Sequence, residues 1–132
     1  MSRDKIESAL SAALRHLEDS LNTLSNNGAE KAVSDSLWSA SAETEYAVFL
    51  LSLMLGDQAE GTSWKHTASS KHSMEFRPAL TSALELLKNA KTNIETGGVE
   101  KCYEEAWTAR NMLLKAQELL EKKRKEARKK TA

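Results

Sequence analysis

One polar segment of the chain carries side chains suited to binding an anion or a nucleic-acid base. It contains Trp64, Lys65 and His66, which are followed by Lys71 and His72. Cations and hydroxyl donors suit contacts with phosphate, and an indole ring can stack on an unpaired base. The alternative is a solvated connection in which Trp64 packs back onto the protein as an apolar anchor, since loops are polar in general.

Basic side chains also crowd the C-terminus, where Glu126 is the only acidic neighbour of Lys122, Lys123, Arg124, Lys125, Arg128, Lys129 and Lys130. Such a tail can contact the backbone of RNA or DNA, with an affinity that falls steeply as salt rises. It can equally be the end of a helix, where cations interact favourably with the helix dipole. The whole chain has a formal net charge of zero, so no overall field favours nucleic acid or an anionic membrane.

Two tryptophans provide a candidate pocket. Trp38 and Trp107 occupy equivalent positions in an internal repeat, and Glu45 and Arg110 could supply polar groups at the rim of a shared cleft. Large aromatic side chains at helical spacing are more often part of the packing than of a pocket. The sequence therefore supports a pocket and a packing role as alternatives.

Patterns for catalysis and metal binding are missing from the sequence. There is no glycine-rich phosphate loop after a strand and no serine-histidine-carboxylate arrangement. The three histidines do not form the Glu-x-x-His pairs of di-metal bundles, and the single cysteine, Cys102, allows neither an intramolecular disulfide nor a zinc-ligand spacing. We therefore predict no catalytic residue, no metal site and no cofactor.

The helices that position these side chains can be predicted from an internal repeat in the sequence. Residues 9–31 reappear seventy positions later as residues 79–101. Apolar residues in each copy recur at steps of three and four, which is typical of an amphipathic helix, and Gly28 and Gly98 mark matching turns. Two copies of one helical hairpin predict an all-α protein, an antiparallel up-down four-helix bundle.

At 132 residues the chain fits a single domain over residues 1–132. We place hairpin one at residues 2–56, a loop at 57–73, hairpin two at 74–121 and a basic tail at 122–132. The repeat offset changes from seventy to sixty-nine where Trp38 aligns with Trp107, which we attribute to one extra turn residue in the second copy. The loop has no hydrophobic period, and loops of that length are often functional.

The second helix, from about Ala29 to Leu55, is expected to be the longest and most apolar. Four of its residues lie off its core stripe: Phe49, Leu50, Leu53 and Met54. More apolar surface is therefore present than one interface within the chain uses, and we expect a homodimer through this surface.

The sequence also predicts where the protein is located. The most apolar run, residues 47–55, is too short to cross a bilayer, and the N-terminal residues lack the apolar core of a signal peptide. The lone cysteine fits a reducing compartment. We therefore expect no membrane association and a cytoplasmic location.

Several short stretches resemble the HEPN superfamily. Residues 45–49 (EYAVF), in a helix ending at Leu55-Gly56, resemble the family's tyrosine-alanine-x-phenylalanine helix, and residues 70–73 (SKHS) with Phe76 resemble the lysine-histidine segment that often follows it. Residues 28–32 and 37–40 are also similar to the helical turns of archaeal PaREP1-like relatives. The resemblance implies a small helical bundle that dimerises and is linked to nucleotide and RNA binding.

The sequence departs from the catalytic members of that family. HEPN ribonucleases carry an arginine followed four to six residues later by a histidine, and no pair in this chain meets that spacing. The resemblance therefore implies a non-catalytic member that binds a partner, sometimes a nucleotidyltransferase. Similarity to tetratricopeptide-type hairpins, with alanine-rich interfaces and turn glycines, explains the same features and implies protein binding.

Two functional hypotheses follow from these observations. The leading prediction is a non-enzymatic cytoplasmic binding protein that acts through protein–protein association as a homodimer. The alternative is an RNA- or nucleotide-binding protein of HEPN type without the catalytic arginine-histidine motif. An enzyme would require a deep pocket that joins Trp38, Glu45, Trp107 and Arg110.

Overall fold

The chain forms four helices. The computed structural model describes residues 2–56 and 75–131, with side chains described over 3–56 and 75–126. The helices are α1 (Ser2–Ser25), α2 (Glu30–Leu55), α3 (Phe76–Glu95) and α4 (Val99–Thr131), and no strand occurs among the described residues. The predicted all-α four-helix bundle is confirmed, whereas the loop predicted at 57–73 lies outside the described residues.

The first and third helices end in the same kind of turn. The N–H of Gly28 donates to the carbonyl of Thr23 at 2.8 Å, and the N–H of Gly98 donates to the carbonyl of Asn93 at 2.7 Å. The residue before each glycine has a positive φ, 55° at Asn27 and 88° at its glycine counterpart. This Schellman arrangement satisfies the last carbonyls of the helix and redirects the chain, so the repeat in sequence is a repeat in structure.

Two expectations about lengths were wrong. The first turn spans residues 26–29 and the second spans 96–98, so the extra residue lies in the first copy and not in the second. A shorter second turn is what reduces the offset from seventy to sixty-nine. The longest helix is α4, with 33 residues against 26 in α2, because the basic segment at 122–132 continues the helix through Thr131.

The α1–α3 contact joins the two hairpins through helices that run in opposite directions. At one end Arg3 donates to the carbonyl of Glu95 at 2.6 Å, and at the other end Arg77 donates to Oγ of Ser25 at 3.1 Å. The start of each helix therefore meets the end of the other. An approximate two-fold axis relates the hairpins, since it would exchange these two contacts.

The α2–α4 contact is antiparallel as well. Arg110 pairs with Glu45 near the middle of both helices, and Arg124 pairs with Glu30 where α2 begins. The helices packed together are α1–α2, α3–α4, α2–α4 and α1–α3. All four packed pairs are antiparallel, so α2 and α3 point the same way, and the end of α2 and the start of α3 lie at opposite ends of the bundle. The order of directions along the chain therefore differs from the predicted up-down order, because the hairpins meet through α1–α3 and α2–α4 and not through α2–α3.

The buried residues of the core lie at equivalent positions in the two copies of the repeat. Leu10, Ala13 and Leu17 of α1 are buried, and so are their counterparts in α3. Corresponding residues of α2 and α4 are buried in the same way, with small side chains prominent among them: Ala40, Ala47, Ala106, Ala109 and Ala116. Small residues at matching positions let the helices approach closely, and each hairpin buries its stripe against the other.

No helix in the described ranges combines the length and the apolar character that crossing a membrane requires.

Candidate functional site

The largest exposed apolar surface of the described residues lies on α2. Trp38 is 63% exposed, Tyr46 44%, Phe49 57%, Leu53 63% and Met54 44%. We call these five residues the α2 face. The only other large hydrophobic residue of the described part with comparable exposure is Leu114 on α4, at 36%.

Helical spacing explains why four of these side chains share one side of α2. The fifth, Met54, projects close to the direction of the buried Ala47 and is exposed at the end of the helix. At about 100° per residue, Trp38 and Phe49 project in nearly the same direction, away from the core residues Ala40 and Ala47. Leu53 follows one turn after Phe49. The middle of α2 is therefore apolar on both its inner and its outer side, unlike a helix that simply covers a core.

The predicted homodimer surface needs one correction. Phe49, Leu53 and Met54 are exposed, but Leu50 is only 9% exposed and belongs to the hydrophobic core. Leu50 lies between the inner and outer sides of α2, where packing against the neighbouring helices buries it. The sequence prediction also did not assign Trp38 to this surface.

A polar pair lies beside the α2 face. The Nε of Arg110 donates to Oε1 of Glu45, which ties α4 to the middle of α2. Arg110 also donates to Oδ1 of Asn111 at 3.3 Å. Burial raises the pKa of Tyr103, and the nearby guanidinium of Arg110 opposes that shift. The pair neutralises one carboxylate beside the exposed aromatic residues.

The predicted four-residue pocket is only half assembled. Glu45 and Arg110 are brought together, but the two tryptophans have different surroundings. Trp107 is half-buried and packs against the core. Trp38 instead borders a groove of about 370 Å³ between α2 and α4, which is also lined by Leu114. Equivalent positions in the repeat are therefore not equivalent in exposure.

The predicted anion-binding residues fall into two groups. Trp64, Lys65, His66, Lys71 and His72 lie outside the described residues. The second group lies on the last described turns of α4, where Lys122, Lys123 and Lys125 are exposed. Arg124 is half-buried, and its Nε lies 3.4 Å from Oε1 of Glu30. Arg124 therefore holds α4 against the start of α2, and only the lysines face outward.

Reactive chemistry has little support in the described ranges. No group of three or more His, Cys, Asp or Glu residues within them could hold a metal ion. Cys102 is fully buried, and desolvation raises the pKa of its thiol to about 12. Because the thiolate is the nucleophilic form, Cys102 is inert at neutral pH.

Comparison of the chain with protein-family models, with curated proteins and with solved structures gave no match. The resemblance to the HEPN superfamily and the similarity to tetratricopeptide-type hairpins therefore stay predictions. Residues 45–49, which carry the first resemblance, lie in the middle of α2, with Tyr46 and Phe49 exposed and Ala47 buried. The exposed side of α2 is therefore the feature of the described residues that bears most directly on function.

Proposed function

We propose that this chain is a non-enzymatic binding protein that acts as a homodimer, and that two copies associate through the α2 face. Single exposed hydrophobic residues are common on protein surfaces, but a contiguous patch on one helix marks an interaction site. The observation that carries the proposal is this concentration of exposed apolar side chains on α2. The cytoplasmic location stays a prediction.

The size of the α2 face is compatible with a second copy as the partner. With areas of about 150–250 Å² for aromatic side chains, the exposed fractions correspond to roughly 500 Å² per chain. Two such faces in contact bury roughly 1,000 Å², which is the lower limit for a specific interface. Interfaces at this lower limit are typical of weak, transient association, so we expect a dissociation constant on the order of micromolar.

Charge reversal of a single exposed residue tests the proposal. Phe49→Glu places a carboxylate in the centre of the α2 face, and because Phe49 is exposed, the core is left intact. We expect wild-type protein to show a monomer–dimer equilibrium in analytical ultracentrifugation and the variant to be monomeric, with unchanged helical circular dichroism. The matched control is Asn89→Glu on the exposed side of α3, which should dimerise normally.

Either of two results would contradict the proposal. A wild-type protein that stays monomeric up to about 200 µM, well above a micromolar dissociation constant, would rule out the homodimer. A Phe49→Glu variant that dimerises like wild type would show that association uses another surface.

A second candidate function is binding of the RNA backbone at the end of α4. The observation that favours it is the set of exposed lysines Lys122, Lys123 and Lys125 on the final described turns. Fluorescence anisotropy with a labelled single-stranded RNA should give an affinity that falls steeply between about 50 and 200 mM salt, by roughly tenfold or more if several phosphates are contacted. Replacing the three lysines with glutamine should abolish binding. Absence of binding at the lower salt would eliminate this candidate.

A nucleotidyltransferase or another protein partner stays a prediction of the family resemblance. The α2 face and the lysines of α4 share no residue, so substitutions can test dimerisation and RNA binding one at a time. A variant that loses one activity should retain the other.

A further inference from the structure

We propose that the α2 helices of the two copies run antiparallel and cross near Glu45 and Tyr46. This inference rests on the proposed function and adds the geometry of the dimer. Two features of the outer side of α2 favour this orientation: the order of large and small side chains and the distribution of charge along the helix. The Arg110–Glu45 ion pair offsets the charge at the crossing point.

The side chains on the outer side of α2 are ordered so that they fit those of a second α2 that runs in the opposite direction. With the crossing between Glu45 and Tyr46, Phe49 of one copy lies opposite the exposed Ala42 of the other, whose small side chain leaves room for the ring. Trp38 lies opposite Leu53 of the other copy, and both are 63% exposed in the single chain. A parallel arrangement would instead place Phe49 against Phe49 and leave a gap between the two Ala42 methyl groups.

Reversal also brings Trp38 close to the last turn of the second copy's α2. The final four carbonyl groups of a helix have no donor within the helix, and in α2 that of Ser52 accepts from the N–H of Gly56, which leaves the last three. The indole N–H of Trp38 is a donor that could meet them, so an exposed tryptophan at this position gains a polar contact in addition to apolar burial.

The charges of α2 favour the same orientation. Between Glu45 and Gly56 the helix carries no charged residue, whereas its first half carries Lys31 and Asp35. A parallel dimer would bring two exposed Asp35 side chains together. In the antiparallel dimer they are about 30 Å apart along the axis, at about 1.5 Å per residue, and the helix dipoles oppose each other favourably.

Arg110 reduces the charge repulsion at the centre of this interface. With the crossing placed there, the two Glu45 carboxylates lie close to the two-fold axis. Each carboxylate already accepts a hydrogen bond from the Arg110 of its own chain, so the two approach as neutralised pairs. Tyr46 flanks the opposite side of the axis.

The proposed orientation determines where other surfaces of the dimer lie. The last turns of α4 lie beside the start of α2, as the Arg124–Glu30 pair shows. Antiparallel pairing therefore puts the two sets of exposed lysines at opposite ends of the dimer. A parallel dimer would put both sets at one end.

Distances between spin labels distinguish the two orientations. Lys31→Cys introduces one exposed attachment site outside the α2 face, and the buried native Cys102, whose thiol pKa is raised to about 12, is expected to stay unlabelled. Double electron–electron resonance should give a separation of about 45 Å for the antiparallel dimer, from about 1.5 Å per helical residue. A parallel dimer would give less than about 25 Å for helices packed about 8–10 Å apart, allowing for the label arms.

A control separates failure of the geometry from failure of the dimer. Glu43→Cys lies near the proposed crossing, so its labels should be within about 25 Å in either orientation of adjacent helices. A short distance at position 43 with about 45 Å at position 31 supports the antiparallel dimer. Short distances at both positions would overturn the orientation while leaving the dimer in place. No dipolar interaction at either position would overturn the proposed function itself.

Discussion

The repeat provides a matched pair of substitutions that isolates the contribution of the α2 face, Trp38→Ala and Trp107→Ala. Trp38 is 63% exposed, which corresponds to roughly 150 Å² of accessible side chain. If the partner closes over part of the space that the ring leaves, so that about half of that buried area is lost, at about 25 cal/mol per Å², the substitution costs roughly 2 kcal/mol per copy and roughly 4 kcal/mol per dimer. Since about 1.4 kcal/mol corresponds to a factor of ten, Trp38→Ala should raise the dissociation constant roughly 100- to 1,000-fold.

Trp107→Ala should mainly reduce the stability of the monomer, whereas Trp38→Ala should mainly reduce the affinity of the dimer. Trp107 is half-buried against the core, so its loss should lower the free energy of unfolding by about 2–3 kcal/mol, less than the cost for a fully buried tryptophan. Its effect on dimer affinity should be small. Trp38→Ala, in turn, should change the stability of the isolated chain by less than Trp107→Ala does.

Two assays give the two quantities separately. Sedimentation equilibrium measures the dissociation constant, and urea unfolding at a concentration well below that constant measures the stability of the monomer. An unchanged dissociation constant for Trp38→Ala would show that Trp38 is not in the dimer interface. Equal destabilisation of the monomer by both substitutions would contradict the difference in burial between Trp38 and Trp107, because the two side chains would then be equally packed.

Three further predictions concern the turn, the thiol and the ion pair. Gly97→Ala should lower the free energy of unfolding by about 1–2 kcal/mol, because Gly97 has a φ of 88°, while Asn27→Gly at the matching turn should cost nothing; chemical denaturation of both variants checks this. The pKa of Cys102 is about 12 in the folded protein against an ordinary value of 9.0, so its contribution to stability is complete below pH 9 and decreases as pH rises from 9 towards 12. Cys102→Ala should therefore lose less stability than wild type between about pH 8 and pH 11 in parallel urea titrations, and equal losses would contradict this prediction. Arg110→Gln leaves Glu45 without its cation near the two-fold axis, so added salt should strengthen dimerisation of the variant and not that of wild type, as measured by sedimentation at low and high salt.

The parts of the fold that depend on local sequence were predictable. The endings of α1 and α3 follow from Gly28 and Gly98, because a residue with positive φ followed by glycine supplies the hydrogen bonds that close a helix. The core stripe of α1, including Leu10 and Leu17, follows from helical spacing. Both are properties of a few neighbouring residues, and each copy of the repeat supplies them independently.

The details that depend on tertiary packing were not predictable. Trp38 and Trp107 have the same local pattern, yet one is exposed and the other half-buried, because the surroundings of α2 and α4 differ. Leu50 lies at the boundary between the inner and outer sides of α2, where spacing alone does not decide burial. The parallel direction of α2 and α3 depends on which helices of the two hairpins meet, and the period of hydrophobic residues carries no information about that choice.

The central claim is that two copies of this chain associate through the α2 face. Sedimentation equilibrium of the wild-type protein beside Phe49→Glu and Asn89→Glu tests it most directly, over a range of about 1 to 200 µM that brackets a micromolar dissociation constant. We expect a monomer–dimer equilibrium for wild type and Asn89→Glu and a monomer for Phe49→Glu. A wild-type protein that is monomeric throughout the range, or three proteins that dimerise alike, would contradict it.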